Sequence, residues 1–106
     1  MSQGEIHVGD IGTVIGMTIY DEQGAIVDVS SASVKYIIFY KHDGTTVNKS
    51  AEFTTDGTDG KIQYTTIAGD LNVGGIWKKQ GYVVLSAGTW YTNKINFTVH
   101  NNLTVI

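Results

Sequence analysis

Short runs rich in β-branched and aromatic residues are cut at nearly regular intervals by Asp/Gly clusters, and this punctuation limits the possible folds more than any other feature. The clusters are Asp21-Glu22-Gln23-Gly24, His42-Asp43-Gly44, Asp56-Gly57-Thr58-Asp59-Gly60 and Ala87-Gly88. Glycine reaches positive φ without a Cβ clash, and aspartate bonds the backbone just downstream of itself, so each cluster reverses the chain. Short strands separated by such signals every ~8–12 residues predict an antiparallel sandwich or small barrel.

Within that frame the segments can be placed. Glu5–Val8 is a short extended piece, followed by a strand over Ile11–Tyr20 with Thr13, Ile15, Met17 and Ile19 on one face. Ala25–Val29 reads as a short edge strand. Val34–Lys41 is apolar on both faces at Ile37, Ile38, Phe39 and Tyr40, the pattern of a central strand covered on both sides. Thr45–Thr55 and Lys61–Thr66 form a predicted hairpin around Asp56–Gly60. Ala68–Asn72 is the one stretch with helical-turn character, too short for an isolated helix. Gly75–Ser86 and Thr89–His100 complete a long hairpin through Ala87-Gly88. On its second strand Tyr91, Ile95, Phe97 and Val99 share one face, which strict alternation assigns to the core; Trp90 then points outward, and Asn93 interrupts the apolar side. The expected fold is all-β, an antiparallel β-sandwich of seven to eight strands. It is close to an immunoglobulin-like arrangement but lacks the Cys–Trp–Cys spacing of antibody domains.

The chain has 106 residues, 42% of them apolar, and a net charge of −3. This fits one globular domain over 1–106. All seven basic residues are lysine. Without arginine the bidentate contacts to bases and phosphates are missing, so no nucleic-acid partner is expected. There is no cysteine, hence no disulfide and no thiolate chemistry. Met1–Ile6 has neither a basic nor an apolar signal region, and no apolar run reaches membrane-helix length, so a cytosolic product without membrane contact is expected.

Nothing in the spacing of reactive side chains points to an enzyme. No G-x-S-x-G occurs, and Ser86 sits between Leu85 and Ala87. His7, His42 and His100 lack H-x-H or H-E-x-x-H spacing, so no metal site is expected. The turn aspartates are explained by the turns. Asp56-x-Thr58-x-Gly60 shares part of a calcium loop but lacks its later glutamate and most of its oxygen ligands. Gly74-Gly75 lacks both a phosphate-loop pattern and a following helix. The sequons at Asn48, Asn96 and Asn102 are chance products of an Asn/Thr-rich chain. The aromatics are the better lead. Trp77, Tyr82, Trp90 and Tyr91 cluster in the last hairpin, with Trp77 expected in the core. Trp90, Tyr91 and Asn93 are the candidate binding residues.

Several motifs follow one another in a telling order: Gly9-Asp10-Ile11-Gly12-Thr13, Tyr20-Asp21-Glu22-Gln23-Gly24, Val27-Asp28-Val29-Ser30, Tyr40-Lys41-His42-Asp43-Gly44-Thr45, Lys61-Ile62-Gln63-Tyr64, and Ala68-Gly69-Asp70-Leu71 followed by Gly75-Ile76-Trp77. Over most of its length the chain thereby resembles the N-terminal immunoglobulin-like domain of phage baseplate upper proteins and related virion domains. That resemblance implies a structural protein without catalytic residues or cofactors, made in the host cytoplasm and resident in the virion. Its partners would be other virion proteins, contacted in many copies. Because the shaft and receptor-binding regions of the larger proteins do not follow here, the implied role is an adaptor or decoration subunit of tail, baseplate, fibre or capsid. The alternative reading is a carbohydrate-binding module that engages host surface glycan through Trp90, Tyr91 and Asn93.

Overall fold

The computed structural model describes residues 5–102. They contain nine strands and no helix: β1 (Ile6–His7), β2 (Val14–Thr18), β3 (Val34–Tyr40), β4 (Thr46–Ser50), β5 (Glu52–Phe53), β6 (Lys61–Thr65), β7 (Gly75–Leu85), β8 (Gly88–Tyr91) and β9 (Ile95–His100). One sheet runs β1-β9-β7-β3-β4, with β8 also paired to β7; the second is β2-β6-β5. The inner faces of the two sheets pack on one core, a sandwich arrangement.

Local chemistry makes the turns as expected. Asp21, Asp28, Asp43, Asp56 and Asp59 each accept a hydrogen bond from the backbone N–H two residues on, at 2.9–3.1 Å. Gly60, at φ +73°, shows why one turn needs glycine twice over: a Cβ there would lie 2.7 Å from Ile26 Cγ2 and 2.9 Å from the Val27 carbonyl oxygen. Ala68–Asn72 holds a turn closed by Asp70 N–H to the Ile67 carbonyl, with no helix.

Several pairings depart from the expected ones. β1 lies parallel to β9, so the sandwich is not wholly antiparallel. The Thr45–Thr55 segment divides at Ala51: β4 pairs with β3 in the larger sheet, and only β5 pairs with β6. Ala51 N–H still bonds Lys35 O in the larger sheet, and the next residue, Glu52, already faces Gln63 in the smaller one. Ala25–Val29 forms no strand: it makes an isolated bridge between Tyr20 and Ile26, and the Val27 and Val29 N–H groups donate to the Ile19 and Gly57 carbonyls. β3 is an interior strand, yet only its Ile37/Phe39 face is buried; Tyr36 and Tyr40 are exposed on the other.

Trp77 is 2% exposed, in agreement with its expected place in the core. Phe39 and Phe97 lie 6.3 and 5.8 Å from it, ring centre to ring centre, and Nε1 donates to the Val73 carbonyl. The expectation for Trp90 and Tyr91 is reversed. Tyr82 faces Tyr91 and Lys79 faces Ile95, so three steps along β7 match four along β8–β9. The extra residue is a bulge at Thr92–Lys94. There the Thr92 hydroxyl oxygen accepts from Gly81 N–H and its hydrogen goes to the Asn93 carbonyl. One inserted residue inverts parity: Phe97 and Val99 still face inward, but Tyr91 turns outward at 60% exposure and Trp90 packs against the core.

Trp77→Ala is expected to cost about 3–5 kcal/mol in chemical denaturation, because the rigid ring set around it cannot collapse into the void. Tyr91→Ala is expected to cost under about 1 kcal/mol, less than Trp90→Ala. The reverse order of the last two would mean that no bulge is present.

Candidate functional site

Two surfaces follow from the parity switch. The first is the outer face of the larger sheet. Register places Tyr91, Tyr82 and Tyr36 side by side on β8, β7 and β3. Their ring centres are 4.8 Å apart for Tyr82–Tyr91 and 6.3 Å for Tyr36–Tyr82, the latter pair stacked at 15°. Tyr40 and Ile76 are also exposed on this face. The outward positions of β3, β4, β7 and β8 include Lys78 but no carboxylate. The surface is therefore aromatic, hydroxylated and weakly positive.

The second surface is a cleft of about 810 Å³ at the margin where the smaller sheet stops at β2 while the larger continues into β8. Its lining joins Trp90 and Asn93 from the β8 side to Thr18, Tyr20, Glu22 and Gln63 from the β2 side, Thr18 and Gln63 lying on the outer face of the smaller sheet. Of the three candidate binding residues, Trp90 and Asn93 thus come together here. Tyr91 touches the cleft margin, but its ring belongs to the tyrosine row. The residues opposite Trp90 carry no local sequence signal, because only sheet packing brings them within reach of it.

A third group, Lys49, Tyr64 and Asp70, closes the sandwich near Trp77. Tyr64 donates its hydroxyl to Asp70, Lys49 Nζ lies 3.0 Å from Asp70 Oδ1, and Ile67 N–H donates to Oδ2. Burial, the largest single influence, pushes the Asp70 carboxyl upward. The Tyr64 hydroxyl, the Ile67 N–H and the Lys49 ammonium together outweigh it and hold the carboxyl below its ordinary value. Burial and the Asp70 bond raise Tyr64, and the bond to Asp70 raises Lys49. These groups stabilise one another and leave no free nucleophile or base.

The remaining candidates stay apart or act structurally. β1–β9 pairing sets His7 across from His100, with Glu5 3.2 Å from His7 Nε2 and 4.0 Å from His100 Nε2. His42 accepts from Ile76 N–H elsewhere. Among the described residues no group of three His, Asp or Glu side chains is placed to hold a metal ion. Backbone N–H donors lower the exposed carboxyls of Asp28 and Asp43, and the Thr58 hydroxyl and N–H lower that of Asp56, so these turn groups are engaged by their own turns. No helix among the described residues is long and apolar enough to cross a membrane.

No protein-family model matches the chain, and neither a curated protein nor a solved structure is found to match it.

The Lys49–Tyr64–Asp70 group sets a pH dependence. A carboxyl lowered in the folded state contributes stability above its unfolded value of about 3.9, and that contribution is lost as pH falls through the lower folded value. The raised Tyr64 and Lys49 contribute below about 10, and their share is lost as pH rises through their folded values. Thermal melts of Asp70→Asn are expected to fall below the parent by roughly 4–8 °C at pH 7, the shift that about 1 kcal/mol produces in a domain this small. The two curves should converge near pH 2; parallel curves across the acid range would exclude Asp70 as the group responsible.

Proposed function

We propose that this chain is a structural subunit of a bacteriophage particle, an immunoglobulin-like adaptor or decoration domain that joins virion proteins through protein contacts. The observation that carries this reading is the carboxylate-free tyrosine row on the outer face of the larger sheet. Tyrosine is enriched and acidic residues are depleted where proteins meet. The rings lie 4.8–6.3 Å apart, one pair stacked at 15° and the other tilted at 46°, so they form one continuous, uneven aromatic surface with hydroxyls rather than a single flat face. That suits a protein surface better than a sugar ring, which needs an open aromatic face.

Strand order supports the immunoglobulin-like part. The smaller sheet, β2-β6-β5, corresponds to B-E-D in the lettering of such sandwiches, and β9-β7-β3-β4 corresponds to G-F-C-C′. The aromatic wedge differs from that of antibody domains: Trp77 lies on the F-like strand, and no disulfide accompanies it. The motif order from Gly9-Asp10 to Gly75-Ile76-Trp77 supports the virion part by resemblance.

Mass spectrometry of intact particles from a phage encoding this chain is expected to find it at stoichiometric, multi-copy abundance. Tyr36→Ser with Tyr91→Ser should reduce incorporation at least about tenfold while leaving the isolated domain folded. Absence of the chain from purified particles would overturn the proposal.

A further inference from the structure

We propose that the cleft between β2 and β8 binds a neutral saccharide, with Trp90 as the stacking surface. The site shares only Tyr91, at its margin, with the tyrosine row, and it does not depend on the assembly role. Its basis is what the bulge does to β8. With parity inverted, the Trp90 indole is half-buried: it leans on the core while also lining the cleft. An anchored aromatic facing an open groove loses little freedom when a ring stacks on it.

The polar groups around it are uncommitted. The side chains of Thr18, Tyr20, Glu22, Gln63 and Asn93, and Trp90 Nε1, have no hydrogen-bond partner among the described residues. Neighbouring Asp21 shows the contrast, since its Oδ1 already accepts from Gln23 and Ala25 N–H. Hydroxyls, amides and a carboxylate lining the same cleft as one indole match the mixed apolar face and hydroxyl rim of a pyranose. The volume, about 810 Å³, falls within the ~300–1,000 Å³ of small-molecule pockets.

Charge selects among sugars. Asp21 and Glu22 outnumber Lys61 in the lining, and the chain has no arginine to clamp a phosphate or carboxylate. Anionic glycans are therefore disfavoured. An extended peptide added to the free edge of β2 is disfavoured for another reason: Lys79 Nζ donates to the Gly16 carbonyl at 2.9 Å, occupying an acceptor in the middle of that edge.

Tryptophan fluorescence supplies the test, because Trp77 is sealed in the core and Trp90 is the indole that a ligand reaches. A printed array of neutral and anionic glycans would be probed first, and the strongest binders titrated into the full chain. The expected result is signal confined to neutral glycans and a saturable change in emission with Kd below about 10 mM. Gln63→Ala and Asn93→Ala, both outside the core, should each weaken binding by roughly 3–10-fold with unchanged melting temperature. No array signal, binding restricted to anionic glycans, or binding indifferent to both substitutions would overturn the assignment. So would a response to an alternating Thr/Val decapeptide that shifts the amide resonances of Val14–Thr18, which would identify strand addition.

Discussion

The aromatic wedge between the sheets is the contact on which the rest of the structure depends. Trp77, Phe39 and Phe97 meet in tilted and edge-on pairs at 5.8–6.3 Å, and Tyr64 from the opposite sheet joins Phe39 at 6.2 Å. Three of these rings come from the larger sheet and one from the smaller, so the wedge ties the two layers together. Rings of this size contribute a large share of the apolar area a small domain can bury. Ile15, Met17 and Ile62 of the smaller sheet and Ile37, Val83 and Val99 of the larger complete the buried layer around them.

A sandwich this small has little interior, and its margins are sealed by lysines rather than by more hydrophobic side chains. Lys41 lies buried with its Nζ on Asn72 Oδ1 and 5.4 Å from the Trp77 ring centre. Lys79 spans the layers to the Gly16 carbonyl, and burial lowers its pKa. Lys35 covers Phe53 at 4.6 Å. In each case the aliphatic stem covers apolar surface while the ammonium finds an acceptor, a ring face or water. Six of the seven lysines lie on or beside the strands of the larger sheet. Carboxylates gather instead in the turns around the smaller sheet, where backbone N–H groups neutralise them locally.

The bulge at Thr92–Lys94 decides which chemistry reaches the surface. Without it, Tyr91 would face the core and Trp90 the solvent, and the last hairpin would present a tryptophan where it now presents a tyrosine row. With it, one strand pair serves two surfaces: tyrosines outward for broad contact, and a half-buried tryptophan beside an open groove. The Thr92 hydroxyl stands in for the ladder partner that the bulge removes, so Gly81 N–H is not left unsatisfied.

The turns were legible in the sequence because their causes are local. An aspartate reaches an N–H two residues away whatever the rest of the chain does, and Gly24, Gly44, Gly57 and Gly60 adopt the positive φ that such turns demand. The all-β composition of the fold was legible for the same reason; the core role of Trp77 was also foreseen, as were the inward Ile15 and Met17 of β2 and Ile19 just after it, because alternation marks an apolar face. Trp90 and Asn93 could be singled out, but not the groove they share, since Tyr20, Glu22 and Gln63 meet them only when two sheets pack. The parallel docking of β1 on β9, the crossing between sheets at Ala51 and the inward turn of Trp90 were decided by tertiary structure alone. Strand pairing joins residues far apart in sequence, and alternation carries no record of where one extra residue enters. A single inserted position costs the chain little locally, yet it reverses which alternate side chains face inward on one side of it relative to the other.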